Sequence, residues 1–337
     1  MKTKIIFRMA IVSVIASTLF FLACNKSGSG NNNSSTSGNV NTQADDQAMV
    51  STEVDNLSND VAASLTSQSG INGSSAGESP ISSRTVVNDT KMANGPTGIV
   101  NNSLICDASV VIDTVNNPKS ITITYNGTNC WGNRTRTGTI VLSMPGGTYW
   151  EQQGAVATIT IQNLVIKRII DGKTFTLNGK RTMTNVSGGS LIKLPTLQSI
   201  THTVMDSLSI TFSDSATRVW QVAKQRVFTY NNGVVITTTG IHSDGTNSNV
   251  AEWGVNRFGI SFESLITQPK VIEQACNFRL TSGQNVILRS DNITTTITYG
   301  LDVNGNPTSC PGTGNYYMEI VWSTSNLKST PVVLPYF

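Results

Sequence analysis

A strand pattern that ends in a cysteine occurs twice in this chain, and it constrains the fold more than any other feature. Ile121–Tyr125 alternates apolar and hydroxyl side chains and is followed by Cys130. Ile297–Tyr299 repeats the alternation and is followed by Cys310, at a longer spacing. A period of two predicts a strand with one buried face. The repeat predicts two related β halves.

Short alternating segments continue from about residue 98 to the end of the chain. Hairpin signals of the Asx-Gly type separate many of them, at Asp171-Gly172, Asn178-Gly179, Asn232-Gly233 and Asn304-Gly305. The pattern predicts an all-β protein built from antiparallel β-sandwich lobes, one over 98–195 and one over 196–337. The boundary is expected near Ser190–Thr203, where glycine and proline interrupt the alternation.

The N-terminus carries the features of a bacterial lipoprotein signal. Lys2, Lys4 and Arg8 precede an apolar run that ends at Ala23, and Cys24 follows. We expect residues 1–23 to be a signal peptide and Cys24 to be the lipidated first residue of the mature protein. The expected location is the outer membrane, facing either the periplasm or the cell exterior. An uncleaved anchor and a plain secretion signal are the alternatives.

Residues 24–97 are rich in Ser, Asn and Gly and predict a flexible tether with one helix at 45–66. The helix is predicted from apolar residues at spacings of three and four, at Val50, Val54, Leu57, Val61 and Leu65. Such a helix would dock on the β body or pair with another copy.

The charge balance argues against a nucleic-acid partner. Lys and Arg number 23 and Asp and Glu 20, but three of the cations lie in the predicted signal peptide. The mature chain is therefore neutral, and it lacks the positive field that attracts nucleic acid or an anionic membrane surface.

Four cysteines remain once Cys24 is set aside, and an even number in an exported protein predicts two disulfides. Three pairings are possible. The repeat favours Cys106–Cys130 and Cys276–Cys310. A zinc site is the rival interpretation, but the CxxC spacing of zinc sites is missing from the sequence.

Several further segments carry a resemblance to a known group of proteins. They are Ile121–Cys130, Arg136–Ile140, Gly179–Asn185, Gly240–Asn247 and the closing Ile297–Cys310. In these segments the chain resembles a family of uncharacterised Bacteroidetes cell-envelope lipoproteins, over most of residues 100–337. The resemblance implies an envelope location and a β architecture. It implies no chemistry.

Catalysis has little support in the sequence, so an enzyme is not expected, although the question stays open. His202 and His242 lie outside any known catalytic motif. No spacing singles out a pair among the scattered acids Glu151, Asp171, Asp206, Asp214, Glu252 and Glu263. Asp302-Val-Asn-Gly-Asn306 resembles the start of a calcium loop, but a hairpin turn explains it as well. We expect no metal and no cofactor.

Aromatic side chains in predicted loops are the better candidates for binding. Trp131, Tyr149, Trp150 and Trp253 could stack on sugar rings while neighbouring Asn and Thr residues donate hydrogen bonds. These residues predict a glycan- or surface-binding module. Trp220 and Trp322, within strands, are expected in the core. The alternative function is a structural or accessory subunit of an outer-membrane complex that docks through the 45–66 helix.

Three short segments match the O-glycosylation signal of exported Bacteroidetes proteins, and they matter only if that origin is correct. They are Asp113-Thr114, Asp206-Ser207 and Asp214-Ser215, each followed by an apolar residue.

Overall fold

The computed structural model of the protein describes residues 33–67, 69–73, 85–87, 105–310 and 314–336. The predicted signal peptide, Cys24 and most of the predicted tether after the helix lie outside these residues. The described helices and strands are α1 Asn33–Ser67, α2 Ser69–Asn72, β1 Thr85–Val87, β2 Ala108–Asp113, β3 Lys119–Thr128, β4 Arg134–Met144, β5 Ala155–Arg168, β6 Thr174–Asn185, β7 Ile200–Phe212, β8 Thr217–Tyr230, β9 Val234–Gly240, β10 Val250–Val255, β11 Ser261–Glu273, β12 Arg279–Arg289, β13 Thr294–Leu301, β14 Tyr316–Ser323 and β15 Val332–Tyr336.

The fifteen described strands form one continuous antiparallel sheet in which chain neighbours are almost always sheet neighbours. The exception is the position between β8 and β11, which β9 and β10 share. β9 pairs with the second half of β8 and β10 with the first half, so the two run in line. The loop 241–249 leaves the sheet between them. The all-β class, the antiparallel pairing and the N-terminal helix are confirmed.

The strands follow from the alternation seen in the sequence. In β3, Ile121, Ile123 and Tyr125 are buried while Thr122 and Thr124 are not, as expected for a sheet with one covered face. Asn232 and Gly233, between β8 and β9, both have positive φ angles, of 53° and 154°. Asn and Gly tolerate these angles better than other residues, which explains the hairpin at this position.

Helix α1 packs against the inner face of the sheet, and from Gln43 to Thr66 nearly all of its residues are buried. The predicted apolar stripe is confirmed, since Val50, Val54, Leu57, Val61 and Leu65 are each at most 1% exposed. The opposite, polar side of the helix is also buried, at Gln47, Ser51 and Glu53 among others. Helix residues and inner-face residues of β2 to β15 belong to one hydrophobic core. None of the helices in the described residues is long and apolar enough to cross a membrane.

The start of the helix corrects the prediction of a tether up to residue 44. The helix begins at Asn33, twelve residues before the predicted start at 45, in a segment of Asn, Ser and Thr. Those residues have weak helix propensity. Burial of Val40 and Ala44 against the sheet outweighs that propensity, because most helical stability in proteins comes from packing.

The arrangement of the strands differs from the two predicted sandwich lobes. β6 and β7 pair along their full lengths on either side of the predicted boundary, so the sheet continues through it. The indole Nε1 of Trp131 donates a hydrogen bond to the carbonyl oxygen of Asn277 at 3.1 Å, which joins the two predicted lobes directly. One helix serves both halves as a shared core, and neither half has a core of its own.

Both predicted disulfides are confirmed. Cys106 and Cys130 lie at the open end of the β2–β3 hairpin with their Cα atoms 5.1 Å apart. Cys276 and Cys310 join the β11–β12 turn to the β13–β14 loop, with a Cα distance of 5.4 Å. For loops of 24 and 34 residues, each bond contributes roughly 3–4 kcal/mol in the chain-entropy model.

Candidate functional site

The interior of the protein is lined with charge. Helix α1 brings in buried carboxylates, and the inner face of the sheet brings in buried cations, with most of these side chains less than 4% exposed. The carboxylates on the helix are Asp46, Glu53, Asp55 and Asp60, with Asp45 at the margin, and the cations on the strands are Arg134, Arg136, Arg181, Lys224, Arg226 and Lys270.

In the N-terminal half of α1, the carboxylates of Asp45 and Asp46 pair with three cations of the sheet. Arg168 holds Asp45 through two hydrogen bonds of 2.6 and 2.8 Å. Lys173 bridges Asp45 and Asp46, and Arg257 holds Asp46 at 2.6 and 2.7 Å. Burial opposes ionisation of Asp45, but Arg168 and Lys173 outweigh it and hold the pKa of Asp45 below its usual range.

A second group surrounds Arg136. Its guanidinium contacts Asp107 at 2.7 Å, Asp60 at 2.8 Å and Glu53 at 3.2 Å. Asp60 also accepts a hydrogen bond from the Tyr125 hydroxyl at 2.8 Å. Burial, assisted by the nearby Asp107 carboxylate and opposed by Arg136, raises the pKa of Asp60 to about 6. Asp60 shares this arginine with two other carboxylates, and the attraction of Arg136 does not offset the cost of burying Asp60.

A third group lies where α1 meets β8, β10 and β11. The two oxygens of Asp55 accept from Lys224 at 3.0 Å and Lys270 at 2.7 Å. Burial disfavours the Asp55 carboxylate, but the two lysines outweigh it and hold its pKa well below the usual range. Lys224 also pairs with Glu252 at 2.7 Å. Burial lowers the pKa of Lys270, whose one carboxylate partner is shared.

Arg181 has a hydrogen-bond partner for each of its guanidinium nitrogens. It binds both oxygens of Asp206, at 2.8 and 2.7 Å, and donates to the Ser58 hydroxyl and the Val54 carbonyl of the helix. A buried ion pair of this kind contributes little net stability but fixes which surfaces fit together. The charged interior therefore sets the rotation and depth of α1 inside the sheet.

Each of the six acids considered as a catalytic candidate forms an ion pair or a hydrogen bond with another residue. The partners are Lys193 for Glu151, Arg168 for Asp171, Arg181 for Asp206, Arg257 for Asp214, Lys224 for Glu252 and Asn247 for Glu263. His202 is buried between Trp150 and Phe228, at ring distances of 5.0 and 4.8 Å. Burial and the nearby Arg226 lower the pKa of His202 to about 3.

Trp150 does not form the predicted exposed platform, which corrects its assignment to ligand binding. It is 1% exposed and packs edge-on against His202. Its backbone N–H donates to Ile71 of α2 and its carbonyl accepts from Asn185, so the turn that carries it closes the far end of the helix. Trp220 and Trp322 are buried, as predicted.

Trp131 and Tyr149 are less buried, but both have structural partners. Trp131 packs against the core, contacts Asn277 and lies under the Arg134 guanidinium, 5.3 Å from its ring centre. It also lines a small enclosed pocket with Asp55, Arg134 and Phe278. Tyr149 is 39% exposed, and the ammonium of Lys119 lies 4.0 Å from its ring centre.

Trp253 is the predicted binding residue whose position suits an external ligand. It lies on β10, half-buried on the outer face, and the ring of His242 stacks on it at 4.0 Å with an angle of 14° between the planes. Gln221 and Glu263 lie directly beside it on β8 and β11. Asn247 donates to Glu263 at 3.0 Å and so fastens the 241–249 loop, which carries His242, to the sheet.

A polar groove of about 420 Å³ opens across β11, β12 and β13 on the same half of the sheet. Hydroxyl, amide and carboxyl groups line it, including Gln268, Glu273, Thr298 and Thr308. Gly300 allows the chain to bend here, since its φ is 82° and a Cβ would meet the Thr281 carbonyl oxygen at 1.9 Å.

The loop that resembles a calcium site is a capped turn. Asp302 Oδ1 accepts hydrogen bonds from the backbone of Asn304 and of Asn306, both at 2.9 Å. Within the described residues, no group of three or more His, Cys, Asp or Glu side chains is placed to hold a metal ion. Of the predicted glycosylation signals, Asp206 faces the interior and pairs with Arg181, whereas Ser215 is exposed.

The sequence interpretation missed the interior charge network. A signal for it exists in Arg134-x-Arg136 and Lys224-x-Arg226, where two cations fall on one face of a strand. Those positions are in phase with the apolar residues Ile140 and Phe228, which are buried. Asp46, Glu53 and Asp60, spaced by seven along the helix, give the complementary signal.

Comparisons of this chain with models of known families, with curated proteins and with solved structures found no match. The resemblance to Bacteroidetes envelope lipoproteins stays a prediction.

Proposed function

We propose that this protein is a lipid-anchored cell-envelope protein that binds glycan chains on the outer face of its sheet. The observation that carries the proposal is the stacked pair of His242 and Trp253, held on that face by the 241–249 loop. The lipid anchor would be Cys24, and the location the outer membrane, facing the periplasm or the exterior.

The surroundings of Trp253 match what a sugar ring needs. An aromatic surface covers the apolar face of a pyranose, and flanking amide and carboxyl groups bind its hydroxyls. Gln221 and Glu263 supply those groups from the two neighbouring strands. Gln221 is already held at 3.1 Å by Ser207, so it is oriented before a ligand arrives.

The outer face also suits an extended ligand. The groove at β11–β13 is lined by neutral polar groups and by the Glu273 carboxylate. Thr267, Gln284 and Thr298 form a hydrogen-bonded row across the same strands. Hydroxyl-rich ligands match such a row, and a glycan chain of several residues could use both it and Trp253.

Docking of α1 onto another protein, the alternative function, does not fit the folded state. The helix is buried in its own sheet, and its central carboxylates are paired with Arg136, Lys224 and Lys270. A partner would have to bind elsewhere on the molecule.

The proposal is tested by binding of the purified mature protein to a panel of bacterial and plant polysaccharides. We expect saturable binding that becomes at least about tenfold weaker in Trp253→Ala, a loss typical of a central aromatic contact. His242→Ala should weaken binding less. Tyr149→Ala is the matched control, because Tyr149 is also a partly exposed aromatic residue and should leave the affinity unchanged.

Two results would overturn the proposal. One is the absence of saturable binding to every polysaccharide of the panel. The other is binding that survives Trp253→Ala unchanged while the variant keeps the wild-type circular dichroism spectrum.

A further inference from the structure

One patch of the inner sheet face has cationic and polar side chains with atoms that have no hydrogen-bond partner among the described residues. His202 on β7, Arg226 on β8 and Thr238 on β9 are paired in register across three adjacent strands. Directly opposite residues in such strands have Cβ atoms about 4.5–5.5 Å apart. Asn59 of α1 closes the patch, with its Oδ1 accepting from Arg226 Nη2 at 2.5 Å.

Several donors in this patch have no hydrogen-bond partner among the described residues. They are Nε and Nη1 of Arg226, Nδ2 of Asn59 and the Thr238 hydroxyl. Arg226 and Thr238 are 0% exposed and Asn59 is 5% exposed, so solvent at the surface cannot serve these groups. A buried donor without a partner costs about 1–3 kcal/mol, and a buried charge costs more.

The charges of the surrounding cluster do not balance. Arg181, Lys224, Arg226 and Lys270 are four cations, and the carboxylates between them are Asp55, Asp206 and Glu252. Both oxygens of Asp55 are taken by the lysines, and both oxygens of Asp206 are taken by Arg181. Arg226 is therefore the cation without a carboxylate partner within the described chain.

Four unpartnered atoms around Arg226 are hydrogen-bond donors. The guanidinium and the amide nitrogen can only donate hydrogen bonds, and the hydroxyl can donate. Oδ1 of Asn185, which is also unpartnered, lies opposite His202 and can accept a hydrogen bond from the N–H of that neutral imidazole, whose second nitrogen is an acceptor. A water molecule would leave the positive charge in place. An anion satisfies the donors and the charge together.

We propose that Arg226, Thr238 and Asn59 form a buried binding site for a small inorganic anion of the size of chloride. The ion would be enclosed when the sheet closes around α1, because the patch is almost completely buried. It would give Arg226 the counter-ion that no carboxylate of its own cluster provides. This site lies on the inner face and is separate from the glycan surface proposed at Trp253.

The site predicts that folding stability depends on chloride concentration. Urea unfolding is measured in mixtures of sodium chloride and sodium gluconate at constant ionic strength. Once chloride exceeds its dissociation constant, a tenfold increase should raise the folding equilibrium constant up to tenfold. In Arg226→Met, and in the isosteric Thr238→Val, this dependence should disappear or become much weaker.

Arg181→Met is the matched control. It also removes a buried cation, but one whose donors all have partners, so it should lower stability equally at every chloride concentration. In crystals grown with bromide, an anomalous peak is expected beside the Arg226 guanidinium. The proposal is overturned if wild-type stability does not respond to chloride and no bromide peak is present. It is equally overturned if Arg226→Met and Thr238→Val keep the full wild-type response.

Discussion

At the scale of single residues, the buried carboxylates of α1 differ in acidity because they share cations unequally. Asp55 has a lysine at each of its two oxygens, whereas Asp60 shares the single Arg136 with Asp107 and Glu53. The pKa of Asp60 is therefore raised to about 6, and the pKa of Asp55 is lowered. Stability at mildly acidic pH should depend on Asp60 in particular.

Asp60→Asn tests this dependence. Between pH 4 and pH 6 the folded protein keeps a proton on Asp60 that the unfolded chain has lost, so the contribution of Asp60 to stability is full below about pH 4 and falls as the pH rises through 6. The free energy of unfolding of the wild type, relative to Asp60→Asn, should fall by up to about 3 kcal/mol across that range. Urea unfolding at several pH values measures it.

Glu319→Gln, on the outer face of β14, is the control for the loss of a carboxylate. Its difference from the wild type should vary little over the same pH range. A difference between wild type and Asp60→Asn that stays constant from pH 4 to pH 6 would contradict the raised pKa.

The sequence predicted the burial and pairing of residues whose roles are common in β proteins, and it missed residues whose roles are rare. The cysteine pairs follow from the even number of cysteines and from the repeat. The burial of Trp220 and Trp322 follows from their positions within strands. Trp150 was predicted wrongly because a tryptophan next to a Pro-Gly-Gly turn was expected to be exposed, whereas the turn folds over the end of α1. Arg134 and Arg136 were missed because arginines are rarely buried unless they are paired, and their partners on α1 lie more than 70 residues away.

At the scale of elements, the helical conformation of α1 is stabilised by its contacts with the sheet. Its first described turns contain few good helix formers, and its polar residues need the strand cations as partners. An isolated helix of this composition is marginal in water. The amides of α1 should therefore exchange only when the whole protein unfolds.

Hydrogen exchange followed by mass spectrometry or NMR checks this expectation. Amides over residues 40–65 should exchange as slowly as those of β7 and β8, and the 241–249 loop should exchange much faster. Exchange of α1 ahead of the flanking strands would show that the helix opens on its own.

The elements were the most predictable level of this protein. Alternation in β3, β9 and β13 is regular, and the apolar stripe from Val50 to Leu65 is clear. The start of α1 was not predictable, because Asn and Ser in a tether and Asn and Ser in a buried helix look alike in sequence. The two differ only in whether the segment packs against the inner face of the sheet, which the local sequence does not show.

At the scale of the whole molecule, one helix joins all parts of one sheet. Inner-face residues from β2 to β15 share a core with α1, and the contact between Trp131 and Asn277 ties distant strands together. A common core of this kind predicts a single cooperative unit.

Unfolding of the oxidised protein should therefore show one transition. Tryptophan fluorescence and far-ultraviolet circular dichroism should give the same midpoint in urea, with no plateau between. Leu57→Ala, which leaves a cavity in the shared core, should shift the whole curve by about 2–5 kcal/mol of unfolding free energy. Two separate transitions, or a variant that shifts only part of the curve, would indicate independent halves.

The whole-molecule arrangement was the least predictable from sequence. The repeated strand and cysteine pattern at Tyr125 and Tyr299 suggested two lobes, and the repeat is present in the fold. The lobes are absent because the apolar side chains of both halves are buried against the same helix. The alternation of apolar and polar residues shows that one face of a strand is buried, but it does not show which element packs against that face.

The position of α1 ahead of the strands has a consequence for biogenesis. The helix is synthesised before the strands that contact it: Gln47 contacts Glu252, 205 residues away, and Gln43 contacts Asn256, 213 residues away. Because so many of its contacts are distant in sequence, folding should be slow and should be completed only after β11 has been synthesised. Until then, the carboxylates that later bind Arg136 and Lys270 keep the helix segment soluble.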